Sequence, residues 1–204
     1  MNRLLSRILD AHGGVDRWRD YEKVEATIVA GGGFYPLKGM IQAATPCRLT
    51  AWLPWDPLHR AYFDGEALWT YFTTPFLLAK AGVYVEEVEP WPEDAETWRV
   101  LRAQFPGSIE THSLIQDFFF DSDLKLRRHD YSLNIAGGFP AAQLTSDYVV
   151  ADGIHLPSKR RAYTRGPDRK PITEMLMVSI DISDVQFKRV QVPSTEETIA
   201  LSTR

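Results

Sequence analysis

Cysteine is nearly missing from this 204-residue chain, where Cys47 stands alone. That excludes an internal disulfide and any cysteine-built zinc or iron–sulfur centre. Histidine is scarce too. His12, His59, His112, His129 and His155 share no paired helical spacing and no HExxH pattern, so no metal site is expected. Positive charge is not in excess: 23 Lys and Arg stand against 27 Asp and Glu, a net charge of −4, opposite in sign to a dedicated nucleic-acid binder. No apolar run approaches the ~20 residues that span a bilayer; the greasiest stretch, Ala61 to Val83, is broken by Thr70, Thr73, Thr74 and Pro75. Phosphate-binding and nucleophile motifs are missing as well. Gly31-Gly32-Gly33 has no helix with Lys or Ser/Thr behind it and reads as a bend, so no cofactor is expected. In the opening MNRLLSRILDAHGG, Arg7 and Asp10 interrupt what a secretory signal needs as its apolar core, which makes a cytoplasmic location the expectation.

What the chain has in plenty is aromatic side chains, 12% of residues with six Trp, inside an otherwise ordinary globular composition of 44% hydrophobic and 25% charged residues. The stretch AYFDGEALWTYFTTPFLLAKAGV concentrates them, with no charge between Ala67 and Ala79. Leaving four such rings in water would cost roughly 6–12 kcal/mol, comparable to a domain's stability. Read as a strand over Glu66–Thr73, it shows apolar residues on both faces, which predicts cover on both sides.

The rest of the chain alternates with a period of two. After a short amphipathic helix carrying Leu4, Leu5, Ile8 and Leu9, with His12 in its last turn where a cation would favour the helix dipole, Gly13-Gly14 stop the chain, and Asp16 opens a second short helix through Trp18 and Tyr21. Strands are expected from Lys23, over Phe34 to Thr45, Arg48–Leu53, Arg60–Asp64, Glu66–Thr73, Tyr84–Val88, Leu114–Phe120, Leu124–Tyr131, Ala141–Val149, Ile154–Tyr163 and Glu174–Phe187. Asp64-Gly65 and Asp152-Gly153 are expected turns. Trp98, Leu101 and Phe105 at helical spacing predict a helix over Asp94 to Gln104. The expected fold is therefore α+β: a large curled antiparallel sheet, a half-open barrel of about ten strands, with two or three short helices closing an apolar cavity. Residues 1–190 form one domain, and 191–204 a polar tail.

Several segments together resemble a known family. ILDAHGGVDRWRDYEKVEATI, ALWTYFTTPFLLA, FFFDSDLKLRRHDY and DGIHLPSKRRAY are similar to a group of bacterial proteins, which in turn resembles the LolA/LolB lipoprotein-carrier-like superfamily. The resemblance implies a half-open barrel around a hydrophobic cavity closed by helices, which in the carriers takes acyl chains. The expectation of no signal peptide in the opening residues departs from the pattern of those carriers.

These readings make a binder or carrier of a lipid-like or aromatic small molecule the first functional expectation. Phe34, Tyr62, Trp69, Tyr71, Phe72, Phe76, Phe118 and Phe120 are the expected ligand-binding residues. The alternative is a cofactor-independent isomerase, lyase or cyclase. On a strand, Arg127, His129 and Tyr131 share one face, so His129 or His112 would serve as base while Tyr131 or Arg127 stabilises developing negative charge. A third reading covers the aromatic loop Pro75–Ala79 with a second copy, as a homodimer. The basic run SKRRAYTRGPDRK, from Lys159 to Lys170 in its charged residues, suits a solvated edge or an anionic partner.

Overall fold

The computed structural model describes residues 2–37, 39, 44–53, 65–109, 111–133 and 138–189. Among these, nine strands form one antiparallel sheet: β1 (Tyr21–Gly31), β2 (Cys47–Trp52), β3 (Tyr84–Glu93), β4 (Glu96–Gln104), β5 (Ile115–Phe120), β6 (Leu126–Leu133), β7 (Phe139–Ala151), β8 (Ile154–Arg165) and β9 (Pro171–Arg189). Their order is β2-β1-β9-β8-β7-β6-β5-β4-β3, so the sheet curls without closing. Among the described residues four short helices accompany it: α1 (Arg3–Ala11), α2 (Val15–Arg19), α3 (Phe34–Leu37) and α4 (Gly65–Thr73), with a 3₁₀ turn at Phe76–Ala79. No helix among the described residues is long and apolar enough to cross a membrane.

Helix α1 begins where Asn2 caps it, its Oδ1 accepting from the backbone N–H of Leu4 at 2.8 Å and of Leu5 at 3.2 Å. Its Leu4, Leu5, Ile8 and Leu9 are buried against the inner face of the sheet. Gly13 ends it with φ of +116°, and a side chain there would collide with the Gly153 carbonyl. Two distant motifs thus meet. His155 donates its N–H to the His12 carbonyl at 3.1 Å, and Tyr21 donates its hydroxyl to the Asp152 carbonyl at 2.7 Å. The Asp152-Gly153 turn and the Gly13-Gly14 stop are one joint.

Two elements differ from the sequence expectation, for one reason. Glu66–Thr73 is not a strand; Gly65–Thr73 is a helix, α4, buried from Trp69 onward. A segment apolar all round carries no period to distinguish strand from helix. Thr73 and Thr74 fit because their hydroxyls donate to the Trp69 and Thr70 carbonyls at 2.8 and 2.7 Å. Conversely, Asp94–Gln104 is not a helix but the turn and second strand of the β3–β4 hairpin, with Asp94 at φ of +47°. Trp98 and Val100 pack with Phe119 on the outer face of the sheet, while Leu101 and Ala103 join the inner core. That two-sided burial imitates a helical spacing. The strand expected over Phe34 to Thr45 starts instead with α3, and the strand Arg60–Asp64 and the Asp64 half of its turn lie outside the described residues.

The inner face carries the main core. Trp69, Phe72, Phe118, Phe120 and Leu101 are each no more than 1% exposed within it. Burying each such side chain contributes roughly 1.5–3 kcal/mol.

Candidate functional site

Under α4 the inner face turns polar. Pro75 lacks the N–H that would bond the Tyr71 carbonyl four residues back. Arg160 of β8 supplies a donor there instead, from Nη2 at 2.9 Å, and donates from Nη1 to Gln143 Oε1 at 2.9 Å. Gln143 in turn donates to the Tyr71 hydroxyl at 2.9 Å. Arg160 is 1% exposed, and burial lowers its guanidinium to about 10. Its Nε finds no acceptor among the described residues.

Beside this network runs a stack of rings. His112 lies on Tyr131 at 4.5 Å, Tyr131 against His129 at 4.8 Å, and His129 on Phe118 at 4.3 Å between centroids. Gln116 donates its amide to the Ser113 carbonyl, which turns Oε1 toward His129 Nε2 at 2.6 Å. The amide orientation therefore places the His129 proton on Nε2. Burial lowers His112 to about 4 and His129 well below the usual histidine value, with the Arg160 guanidinium, and His112 whenever it is protonated, adding to the latter shift. Both rings are neutral at pH 7. His12 is neutral as well, lowered by burial to about 4, rather than the helix-end cation expected. Its Nδ1 donates to the Ile8 carbonyl at 2.8 Å, and Nε2 meets the Tyr148 hydroxyl at 3.2 Å.

Of the four expected acid/base residues, three are thus brought together: His112, Tyr131 and His129. Arg127 is not. Phe119 pairs with Arg128 and Phe120 with Leu126, so Arg127 is the extra residue of a bulge and faces Asp121 at 3.8 Å, 40% exposed.

Among the expected ligand-binding residues, Trp69 and Phe76 reach an open apolar pocket of about 290 Å³, bounded also by Trp18, Leu53 and Leu77. Trp18 and Phe76 stack face to face at 4.4 Å and 2°. Exposed Arg19 and half-buried Lys80 stand at its edge, the Lys80 ammonium 5.3 Å from the Trp69 ring. Tyr71, Phe72, Phe118 and Phe120 are packed into the core away from this pocket, Phe34 is buried near the end of β1, and Tyr62 lies outside the described residues. Trp18, Leu53 and Leu77 are among the lining residues that sequence reading missed. An indole on a five-residue helix, too short to bury it alone, was the available signal.

No family model and no curated relative matches the chain. Solved structures do. A LolA superfamily protein from Nitrosomonas europaea aligns with 92% of this chain and 93% of its own at a TM-score of 0.50 and 9% identity. A DUF1329 family protein from Desulfovibrio piger aligns over 97% of each chain at 0.48 and 10% identity. A putative outer membrane lipoprotein-sorting protein domain from Vibrio parahaemolyticus does so over 97% of each at 0.47 and 10%. At such identities the likeness speaks for architecture alone: the chain has the LolA-like fold, an unclosed antiparallel half-barrel with helices on its inner face.

Proposed function

We propose that the protein binds or carries a hydrophobic small molecule, lipid-like or aromatic, through the pocket between α2, the start of β1, α4 and the 3₁₀ turn. The observation that carries this reading is the open pocket of about 290 Å³ bounded by the apolar side chains of Trp18, Trp69, Phe76, Leu53 and Leu77. At about 290 Å³ it stands at the lower end of small-molecule sites, roughly 300–1,000 Å³. Arg19 and Lys80 give an amphiphile's anionic head somewhere to rest.

The acid/base alternative finds support in the neutral, stacked His112, Tyr131 and His129, but none of the three lines the apolar pocket. Binding is therefore the reading favoured. A cytoplasmic setting goes with it and is checked by fractionating cells that express the full chain.

The test is displacement of a fluorescent acyl-chain probe by palmitate, in the native protein and in Ala79→Trp. Ala79 is exposed and borders the pocket, so an indole there fills the space without disturbing the core. Saturable binding weakened at least tenfold by Ala79→Trp is expected; equal binding in both proteins contradicts the assignment.

A further inference from the structure

The outer face of the sheet carries a second polar assembly that the apolar pocket does not use. Asp117 on β5 and Asp130 on β6 are directly opposite each other across the two strands, and both are buried. Two carboxylates so placed repel unless cations separate them. Arg102 of β4 grips Asp117 with two bonds, Nε to Oδ1 at 2.8 Å and Nη2 to Oδ2 at 2.9 Å, and Arg169 from the β8–β9 turn adds a third to Oδ2 at 3.3 Å. Arg128 grips Asp130 likewise, Nε to Oδ1 at 2.6 Å and Nη2 to Oδ2 at 2.8 Å, and Arg165 of β8 adds Nη1 to Oδ2 at 2.9 Å. Arg128 also donates to the Arg169 carbonyl, and both guanidinium groups lie over Trp91, at 4.9 and 5.2 Å.

Four arginines thus surround two aspartates, and the excess is two positive charges. Glu86, opposite Arg102 on β3, offsets part of that excess from outside the cleft. The carboxylate oxygens are already taken, each Oδ2 by two arginines. Arg165 uses one nitrogen and Arg169 one, so most of their N–H groups are free of protein acceptors among the described residues. These side chains line an open cleft of about 380 Å³ together with Arg102, Tyr131 and Ser132. Asp130 and its partner Arg128 are each 1% exposed, whereas Arg102, Arg165 and Arg169 are 42%, 21% and 47% exposed and reachable.

The basic run of the sequence resolves on the same terms. Lys159 is matched by Asp147 and Arg161 by Asp181, and Arg160 points inward. Arg165 and Arg169 are the members delivered to the cleft.

We propose that this cleft is a binding site for a phosphate group, held by the unspent N–H groups of Arg165 and Arg169 with Arg102 beside them. Guanidinium forks match phosphate oxygens in pairs, and a phosphomonoester carries roughly −1.5 to −2 charge at neutral pH, matching the excess. The shared chemistry fits a soluble phosphomonoester or the head of a phosphatidic-type lipid.

The experiment is titration at constant ionic strength with inorganic phosphate, phenyl phosphate, and phosphatidylcholine vesicles with and without phosphatidic acid. Native protein is compared with Arg165→Gln, Arg169→Gln and Lys159→Gln. Saturable binding is expected, weakened about tenfold for each cleft arginine removed, and unchanged in Lys159→Gln, which lies on the same strand outside the cleft. Binding to the soluble probes places the phosphate on a small molecule, and binding to the acidic vesicles alone places it on a lipid head. Melting curves identify any variant that fails to fold, and Arg169→Gln, at an exposed turn, is the safeguard. No saturable binding to any probe, or equal affinity in folded Arg169→Gln, overturns the site. Neither result bears on the apolar pocket.

Discussion

Arg160 holds Tyr71 in two ways at once, donating to its carbonyl at 2.9 Å while the guanidinium carbon stands 4.5 Å from the centre of its ring. The carbonyl is the one that Pro75 leaves without its usual helical donor, so a strand side chain completes the end of α4. Trp69 lies on that helix and Phe76 just beyond it, so the pocket's placement depends on this attachment.

Replacing Arg160 with Met removes its hydrogen bonds to the Tyr71 carbonyl and Gln143 Oε1 in the interior. Each lost charged hydrogen bond costs about 1.5–3 kcal/mol, but removing a buried cation that has no carboxylate partner among the described residues returns part of it. Arg160→Met is therefore expected to lower stability by a net ~1–3 kcal/mol, measured by urea unfolding, with acyl-probe binding weakened as α4 loosens. An unchanged midpoint contradicts this role.

Stability should fall in mild acid. His12 and His112 are lowered to about 4 and His129 well below 6.5 in the fold, while unfolded histidines titrate near 6.5. As pH drops below 6.5 the unfolded chain takes up protons that the fold refuses, so stability present above 6.5 is lost progressively toward pH 4. Each histidine contributes a slope of up to about 1.4 kcal/mol per pH unit. Urea unfolding across that range should show the slope, and His112→Gln should reduce it by one proton. A flat profile contradicts neutral burial.

Gly13→Ala is expected to destabilise by well over ~1 kcal/mol, because φ of +116° disfavours any side chain and the new methyl meets the Gly153 carbonyl. Gly14→Ala, also at positive φ but in open space, should cost less. Thermal melts of the two variants check the order.

Eight of the nine strands and the first helix were legible because one side of each met the core and the other met water, or because a glycine pair or Asp-Gly turn bounded them. α4 and β4 were not. Trp69 to Leu78 is buried on every side, and β4 has Trp98 and Leu101 on opposite faces, so neither pattern has the period of its structure. The site followed suit. His129 and Tyr131 were placed correctly on one strand face, but Arg127 was separated from them by a bulge that no residue type announces. The link from Arg160 to Tyr71 spans 89 residues and exists only once α4 is a helix.

The most direct test of the central claim is tryptophan fluorescence during titration with a chain-brominated fatty acid, since bromine quenches an indole only on contact. Trp18 and Trp69 border the pocket, so saturable, partial quenching reversed by unbrominated palmitate is the expected result, and Ala79→Trp should block it at the original indoles. Emission that stays constant, or falls linearly without saturation, contradicts a hydrophobic ligand in this half-barrel.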